Sequence, residues 1–394
     1  MRRLYPFCLL VLLVATLAGP ARGLAADPGV TDSEVVLGMW SPLTGPVALL
    51  GTSERDALQI WLAEVNAAGG IHGRKIRLIV YDDGGSPQEA LAAVRRLINQ
   101  DKVFALVAGS VSGATLPVIP LINGAKIPFV ASISSNRRLL DPFNRYIFRV
   151  YPNEISQANG LVDYVMPKHG LKRPAMIYTS NDYGVGGHEA VTLRLREKHN
   201  LPLVTAERYN TGDQDFSAQL LRIKQANPDG VFVWAFAAEA GIIVRQAREL
   251  GITVPLFGGG ATATPLFPRG AGPAGIGFIA DFLEPHLPES STAPPIVKYR
   301  ESLRKVYPGG FPPGRPSEYD LAGYGAGKIV EEGLRRAGRD LTRDKFIDAL
   351  ETLRQFDTGV LFPVTYTKDN HEGSTTTQII RVNDKMEWEV VPPR

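Results

Sequence analysis

Two short apolar runs, each followed by a loop rich in serine, constrain the fold of this chain more than any other feature. The runs occupy residues 103–109 and 127–132, and the loops occupy residues 110–115 and 132–136. Short apolar runs bounded by glycine and serine are typical of strands buried on both faces, which occur mainly in parallel sheets covered by helices. Ligands of such sheets bind beyond the carboxyl ends of the strands. The loops therefore predict a site for a carboxylate or another anion, although their hydroxyls suit helix caps and turns equally well.

The same alternation of strand and helix continues on both sides of these runs. A strand at 34–40 precedes an amphipathic helix, a second strand and a further helix that begins at Ser86 and Pro87. This order predicts an α/β doubly wound domain, and its return after residue 152 predicts a second lobe of the same kind. The inward face of the first helix holds Leu58, Trp61, Leu62 and Val65. Other predicted elements are strands at 73–83, 174–178, 203–209, 230–234 and 254–257, helices at 187–198, 296–306, 320–336 and 342–353, and antiparallel strands at 363–366, 378–382 and 388–391.

The first residues have the pattern of a cleaved secretory signal. Arg2 and Arg3 precede an apolar run at 7–18, and small residues at 23–25 provide a cleavage site. The apolar run is shorter than the roughly 20 residues that a membrane-spanning helix needs. The pattern therefore favours a signal peptide at residues 1–25 over a membrane anchor, and it predicts a mature protein in the periplasm.

Cleavage of this segment changes both the cysteine content and the charge. Cys8 is the only cysteine, so the mature chain would form no disulfide and use no thiol. The chain has 43 basic and 40 acidic residues, and the segment contains three arginines and no acid. The mature chain would therefore have a formal net charge of zero, which gives no electrostatic support for a nucleic-acid partner.

Catalytic motifs are incomplete in this sequence. The glycine-rich segment before Lys328 lacks the first glycine and the final hydroxyl of a phosphate-binding loop. Segment 109–113 is close to a hydrolase nucleophile elbow, but Val111 occupies the position of the nucleophile. The six histidines are not at metal-ligand spacing. We therefore predict no catalytic residue, no metal and no cofactor, with a serine hydrolase built on Ser110 or Ser112 as the alternative from another class.

Motifs along the whole predicted mature chain resemble those of a known family. They are SPLTGP at 41–46, NAAGGIHGR at 66–74, YDD at 81–83, YG at 183–184, GDQDFS at 212–217, NPDGVFV at 227–233 and RQARELG at 245–251. Their types and order are similar to those of the periplasmic substrate-binding proteins of ABC transporters with the type I fold, in the group that includes the branched-chain amino acid binders. The resemblance implies two lobes joined by three crossovers, each a doubly wound and mainly parallel sheet with helices on both faces. The implied N-terminal lobe is 26–150 plus 284–353, and the implied C-terminal lobe is 151–283 plus 354–394.

The resemblance also implies where a ligand binds. It places the ligand in the cleft between the lobes, which close over it by a hinge motion. The loops at 110–115 and 132–135 would hold the ligand carboxylate, and Tyr183 and the residues around Phe236 would cover its side chain.

One departure from the family pattern affects the expected ligand. The amino acid binders have an acid after the strand that matches 254–257, where it meets the ligand ammonium, whereas this chain has glycine at 258–260. An ammonium group without a counter-charge in a closed cleft would cost several kcal/mol. The departure thus favours an amine-free carboxylate, including an aromatic one, over a branched-chain amino acid. Glu154 could substitute as the counter-charge, but its position at the start of a helix favours an acid stabilised by the helix dipole. The three glycines are expected to leave room for a bulkier or flatter ligand.

The resemblance therefore implies an extracytoplasmic solute-binding protein of an ABC importer. It would capture a small carboxylate or amino acid, deliver it to the membrane permease subunits and act as a monomer. A sensory protein that binds amino acids or amides remains the alternative. The candidate ligand-binding residues are Trp40, Ser110, Ser112, Gly113, Ala114, Ser132, Ser134, Ser135, Tyr151, Glu154, Tyr183, Phe236 and Gly260.

Overall fold

The computed structural model describes residues 27–286 and 291–392, and its first lobe is built on a parallel sheet. The predicted signal peptide lies outside the described residues. The strands of this sheet are β1 (Glu34–Ser41), β2 (Lys75–Asp82), β3 (Ala105–Ala108), β4 (Phe129–Ala131) and β5 (Ile147–Arg149). They lie side by side in the order β2-β1-β3-β4-β5, and every neighbouring pair is parallel. In this doubly wound order the topological switch falls between β1 and β3, which is where such sheets bind ligands.

The second lobe is built on a mixed sheet of seven strands. They are β6 (Pro174–Thr179), β7 (Ala206–Tyr209), β8 (Gly230–Trp234), β9 (Leu256–Gly258), β10 (Ile279–Phe282), β11 (Gln378–Val382) and β12 (Trp388–Val390). Their order is β12-β11-β10-β9-β8-β6-β7, in which β11 and β12 are antiparallel to their neighbours. The predicted antiparallel strands at 378–382 and 388–391 are thus confirmed within one residue. The strand predicted at 363–366 is wrong, because this segment forms only an isolated bridge between Phe356 and Val364.

Helices cover both sheets. They are α1 (Ala48–Ala67), α2 (Pro87–Asn99), α3 (Ser112–Thr115), α4 (Ile119–Ala125), α5 (Glu154–His169), α6 (Asp182–His199), α7 (Ser217–Gln225), α8 (Ala237–Glu249), α9 (Leu266–Ala271), α10 (Pro294–Val306), α11 (Glu318–Ala337) and α12 (Arg343–Leu350). The predicted inward face of α1 is confirmed, since all four of its apolar residues are buried. Helix α6 begins five residues before the predicted start because Asn181 caps it, its side chain accepting a hydrogen bond from the Gly184 amide at 3.1 Å. The first turn of α6 therefore includes Asp182, Tyr183 and Gly184, which the sequence-based prediction left outside the helix.

Helix α11 packs against α1 and so belongs to the first lobe. A methyl group added at Gly323 would lie 2.9 Å from the Cα atom of Glu54, and one added at Gly327 would lie 2.6 Å from Cδ2 of Trp61. The glycines in this segment therefore allow the two helices to approach closely. This packing explains the glycine-rich run before Lys328, which forms no phosphate-binding loop.

The chain passes between the lobes three times: after β5, after β10 and before β11. The exact lobe boundaries remain a prediction. Part of the segment before β11 lies against β5, where the Arg149 amide donates to the His371 carbonyl at 3.0 Å and the Gly373 amide donates to the Arg149 carbonyl at 2.9 Å. In the described ranges, no helix is long and apolar enough to cross a membrane, and no cluster of three or more His, Cys, Asp or Glu side chains is arranged to hold a metal ion.

Candidate functional site

A cavity lies between the two lobes. The loops that follow β3, β4, β5, β8, β9 and β10 contribute to its wall, together with residues from the starts of α1, α5, α6 and α11. Its lining residues are Leu50, Ser110, Val111, Ser112, Ile133, Ser135, Tyr151, Gln157, Tyr183, Phe236, Gly260, Ala261, Leu283, Glu318 and Tyr319. The site therefore lies beyond the carboxyl ends of the strands of both sheets, as expected for this architecture.

The predicted ligand-binding residues divide into two groups. Those that line the cavity are Ser110, Ser112, Ser135, Tyr151, Tyr183, Phe236 and Gly260. Those outside its lining are Trp40, Gly113, Ala114, Ser132, Ser134 and Glu154. Trp40, for example, is fully buried inside the first lobe, where its ring packs 4.9 Å from that of Phe129.

A buried carboxylate, absent from the sequence-based prediction, organises the serine loops. Glu54 of α1 is fully buried and accepts hydrogen bonds from the hydroxyls of Ser41, Ser110 and Ser132. Burial raises the pKa of Glu54 to about 7, although the three hydroxyls oppose this shift. A serine hydroxyl has one proton to donate. Because Ser110 and Ser132 donate theirs to Glu54, Ser110 offers the cavity the lone pairs of its oxygen.

Ser112 is the serine best placed to donate to a ligand. Its Oγ lies 3.3 Å from that of Ser134, which is the donor, so the proton of Ser112 is not used in this contact. Ser135 is oriented differently, because its hydroxyl donates to Glu154 Oε1 at 3.3 Å. The contact between Ser112 and Ser134 joins the two serine loops.

Glu154 is separated from the interlobe cavity. Its Oε2 accepts a hydrogen bond from the Arg137 amide at 3.0 Å, and burial raises its pKa to about 8. It lines a second cavity, between α5 and α6, together with Gly186 and His188. In this closed arrangement Glu154 does not face a ligand in the interlobe cavity.

Aromatic rings form the wall contributed by the second lobe. Tyr183 stacks on Phe236 with 5.5 Å between ring centroids, and it lies 5.9 Å from the ring of Trp234. The hydroxyl of Tyr151, another lining residue, lies 2.6 Å from Glu284 Oε2 and 3.0 Å from the Glu318 carbonyl oxygen, so its proton is already used within the protein. These faces suit an apolar ligand side chain.

The glycines at 258–260 provide space for protein side chains. An added methyl group would lie 2.6 Å from Phe278 at Gly258, 2.7 Å from Trp234 at Gly259 and 2.8 Å from Leu283 at Gly260. The expectation that the glycines leave room for a bulkier ligand is therefore wrong, because these side chains fill that space.

The next residue, Ala261, connects the lobes. Its amide donates to the Tyr183 hydroxyl, and its carbonyl accepts from the Tyr319 hydroxyl of α11, both at 3.3 Å. Asn136 of the first lobe donates to the Asp182 carbonyl of α6 at 2.7 Å, and Arg138 forms an ion pair with the Asp182 carboxylate. These contacts hold the lobes in a closed arrangement.

Two acceptor groups in the lining have no partner within the described part of the chain. Neither carboxylate oxygen of Glu318 accepts a hydrogen bond, and neither does Oε1 of Gln157. Sequence reasoning missed both residues. Glu318 resembles an ordinary acid in the first turn of a helix, and Gln157 lies on α5 without a distinguishing motif.

The geometry defines a two-lobed α/β protein with a cavity where the lobes meet. A family model described as "Periplasmic binding protein" matches residues 34–387. The chain therefore belongs to this family of solute-binding proteins, whose members are not enzymes. Both the type I fold and the non-enzymatic class predicted from the sequence are confirmed.

The chain is similar to proteins with differently named ligands. It is 28% identical over 340 residues to an "Amino acid binding protein" of Pseudomonas aeruginosa, covering 86% of each chain. The substrate-binding protein LivJ of Streptococcus pneumoniae, solved with isoleucine, has a TM-score of 0.77 and 25% identity, covering 92% of this chain and 100% of LivJ. A fatty acid ABC transporter substrate-binding protein from Thermomonospora curvata has a TM-score of 0.81 and 26% identity, covering 93% of each chain.

Proposed function

We propose that this protein is the periplasmic solute-binding component of an ABC importer and that its ligand is a small α-amino acid with an apolar side chain. The observation that carries the proposal is the composition of the interlobe cavity. Its wall combines the hydroxyl of Ser112, the stacked rings of Tyr183 and Phe236, and acceptor groups that have no partner in the described residues. The hydroxyl suits a carboxylate, the rings suit an apolar side chain, and the acceptors suit an ammonium group.

The same composition argues against an amine-free carboxylate, the ligand class that the glycines at 258–260 favoured. Glu318 is an acid in the cavity wall, and none of the described lining residues is basic. A ligand with only a carboxylate would add a second anion, whose burial beside an acid is unfavourable unless one of the two is protonated. The similarity to LivJ with isoleucine agrees with the amino acid, whereas the similarity to the fatty acid protein keeps the amine-free carboxylate as the second candidate.

Closure around the ligand would prepare the protein for a permease. The contacts that join the lobes involve Asp182 and Ala261, both close to the cavity, so a ligand that fills the cavity would favour the closed form. Membrane permease subunits would then recognise the closed form. Residues 1–25 would direct the chain to the periplasm, and the mature protein would act as a monomer. A sensory protein that reports amino acids or amides would use the same site.

A thermal-shift screen of the chain from residue 26 to 394 tests the proposal. The panel contains leucine, isoleucine, valine and phenylalanine, together with 4-methylpentanoate and benzoate as amine-free carboxylates. A ligand that binds only the folded protein adds about 2.7 kcal/mol of stability at a hundredfold excess over its Kd, which raises Tm by several degrees. We expect shifts with at least one amino acid. Shifts confined to the amine-free compounds would refute the proposed ligand class.

A further inference from the structure

We infer that Glu318 binds the ammonium group of the ligand and that Gln157 assists it through Oε1. The inference rests on the proposed function and specifies the part of the site that selects an amino acid. In the resembling amino acid binders, an acid after β9 meets the ligand ammonium. We assign this role to Glu318, the first residue of α11, which belongs to the other lobe.

Glu318 is a buried acid that forms no ion pair with any described residue. It is only 6% exposed, and among the described residues neither carboxylate oxygen has a hydrogen bond of ordinary geometry, although the Tyr319 hydroxyl and the backbone amide of Glu318 lie close enough to lower its pKa slightly against the larger effect of burial. The neighbouring hydroxyl of Tyr319 instead donates to the Ala261 carbonyl at 3.3 Å. A buried carboxylate without a cation or donors is costly, so proteins rarely retain one without a role. Burial accordingly raises the pKa of Glu318 well above its ordinary range.

The other acid at the start of α11 has hydrogen-bond partners for both of its carboxylate oxygens. Asp320 closes the helix cap by accepting from the Ser317 amide at 2.7 Å, and it also pairs with Arg315, whose Nε lies 2.8 Å from Asp320 Oδ2. The Tyr299 hydroxyl donates to its other oxygen at 2.7 Å. Asp320 therefore stabilises the helix, whereas Glu318 contributes to no cap and no ion pair among the residues described. Its carboxylate is available to the cavity that it lines.

Gln157 supplies a second acceptor of the same kind. Its Nε2 donates to the Pro152 carbonyl at 3.0 Å, which fixes the amide, while Oε1 has no partner in the described chain. Tyr151, which precedes Pro152, has its hydroxyl oxygen 3.0 Å from the Glu318 carbonyl oxygen. The contacts at Pro152 and Tyr151 thus connect the segment that holds Gln157 to the start of α11.

An ammonium group matches this set of acceptors. It has three N–H donors and a positive charge. The lining offers it the Glu318 carboxylate, Gln157 Oε1 and the lone pairs of Ser110, whose proton is donated to Glu54. Without such a ligand, burial in the closed lobes favours the protonated form of Glu318, whereas an ammonium group would stabilise the ionised form, so a cationic group favours closure with the acid ionised.

The test measures binding by isothermal titration calorimetry for the wild type and Glu318→Gln. The probes are leucine and 4-methylpentanoate, which share a carbon skeleton and differ in the ammonium group; isoleucine and 3-methylpentanoate form a second pair. Removing one partner of a buried charge pair has a large effect. We therefore expect Glu318→Gln to weaken amino acid binding by about 100-fold or more while binding the amine-free partner as well as or better than the wild type does.

Glu239→Gln is the matched control. Glu239 is also a buried acid in the first turn of a helix, but its oxygens accept from the Tyr209 hydroxyl at 2.7 Å and the Gly212 amide at 2.6 Å, and it does not line the cavity. Glu239→Gln should leave amino acid affinity within about threefold of the wild type. Circular dichroism verifies that each variant is folded.

A third variant tests the second acceptor. Gln157→Leu should reduce amino acid affinity less than Glu318→Gln does.

The outcomes separate the two proposals. If the wild type and Glu318→Gln bind the amino acid within threefold of each other, the role of Glu318 is refuted and the proposed function stands. If the wild type binds only the amine-free compounds, the proposed ligand class fails, and the role of Glu318 fails with it. Equal losses for both members of a probe pair would show that Glu318 shapes the cavity without recognising the ammonium.

Discussion

Replacing Glu54 with glutamine should remove a specific part of the pH dependence of stability. Burial raises the pKa of this carboxyl from 4.5 to about 7. The folded protein therefore keeps a proton that the unfolded chain releases. The stability associated with this proton is fully present below pH 4.5 and is lost as the pH rises through about 7. A tenfold change in an ionisation constant corresponds to about 1.4 kcal/mol, so the complete loss is about 3 kcal/mol, of which about 2.5 kcal/mol falls between pH 5 and pH 8.

Urea unfolding of the ligand-free protein, followed by tryptophan fluorescence at several pH values from 5 to 8, measures this effect. The comparison uses the difference in unfolding free energy between the wild type and Glu54→Gln, because the other titrating groups are common to both proteins. The wild type should lose about 2.5 kcal/mol relative to the variant across this range. Ser132→Ala should raise the pKa of Glu54 further, because it removes a hydroxyl that lowers this pKa, and should therefore increase the loss of unfolding free energy with rising pH. A difference that stays constant from pH 5 to pH 8 would refute the buried, proton-binding carboxyl.

Two further predictions concern ligand binding and helix packing. Ser112→Ala should weaken amino acid binding, measured by calorimetry, by about 10-fold to 100-fold, because it removes a hydrogen bond to a charged group. Ser134→Ala should weaken it by less than about fivefold, because the Ser134 hydroxyl contacts Ser112 at 3.3 Å and does not line the cavity. Equal losses would mean that the two serines act as one structural unit. Gly327→Ala should lower the unfolding free energy measured in urea by about 1–3 kcal/mol, because the added methyl group would overlap Trp61. Gly124→Ala should leave the unfolding free energy unchanged or raise it by up to about 1 kcal/mol, because its methyl group would meet no atom within 4 Å. Equal effects of the two alanines would contradict the close packing of α11 on α1.

Features encoded by local patterns were predictable from the sequence. The apolar runs at β3 and β4 locate the centre of the first sheet, and the serine loops that follow them reach the interlobe cavity. The helical spacing of Leu58 and its neighbours predicts the buried face of α1. These features depend on periodicity and on which residues favour turns, both of which are visible within a short window.

Features that depend on contacts between distant segments were not predictable in the same way. The sequence does contain one signal for Glu54, which lies four residues before Leu58 and hence on the buried face of α1. Its partners Ser41, Ser110 and Ser132 come from separate loops, so the direction of the serine protons follows only from the assembled lobe. Glu318 has no comparable signal, because an acid at a helix start is usually exposed and favoured by the helix dipole.

The charges in the cavity wall provide a stronger argument about ligand class than similarity to other proteins does. Of two solved structures with nearly equal identity to this chain, one was solved with isoleucine and the other is described as a fatty acid transporter binding protein, so the shared fold alone does not select the ligand. Loss of the acid after β9 at first favours the amine-free compound. The proposed function reverses this preference, because Glu318 of the other lobe lines the same cavity and the Ser110 hydroxyl donates its proton to Glu54, which leaves its oxygen as an acceptor. A substitution that removes a charge at one position of a binding site therefore changes specificity only if no charge from another element takes its place.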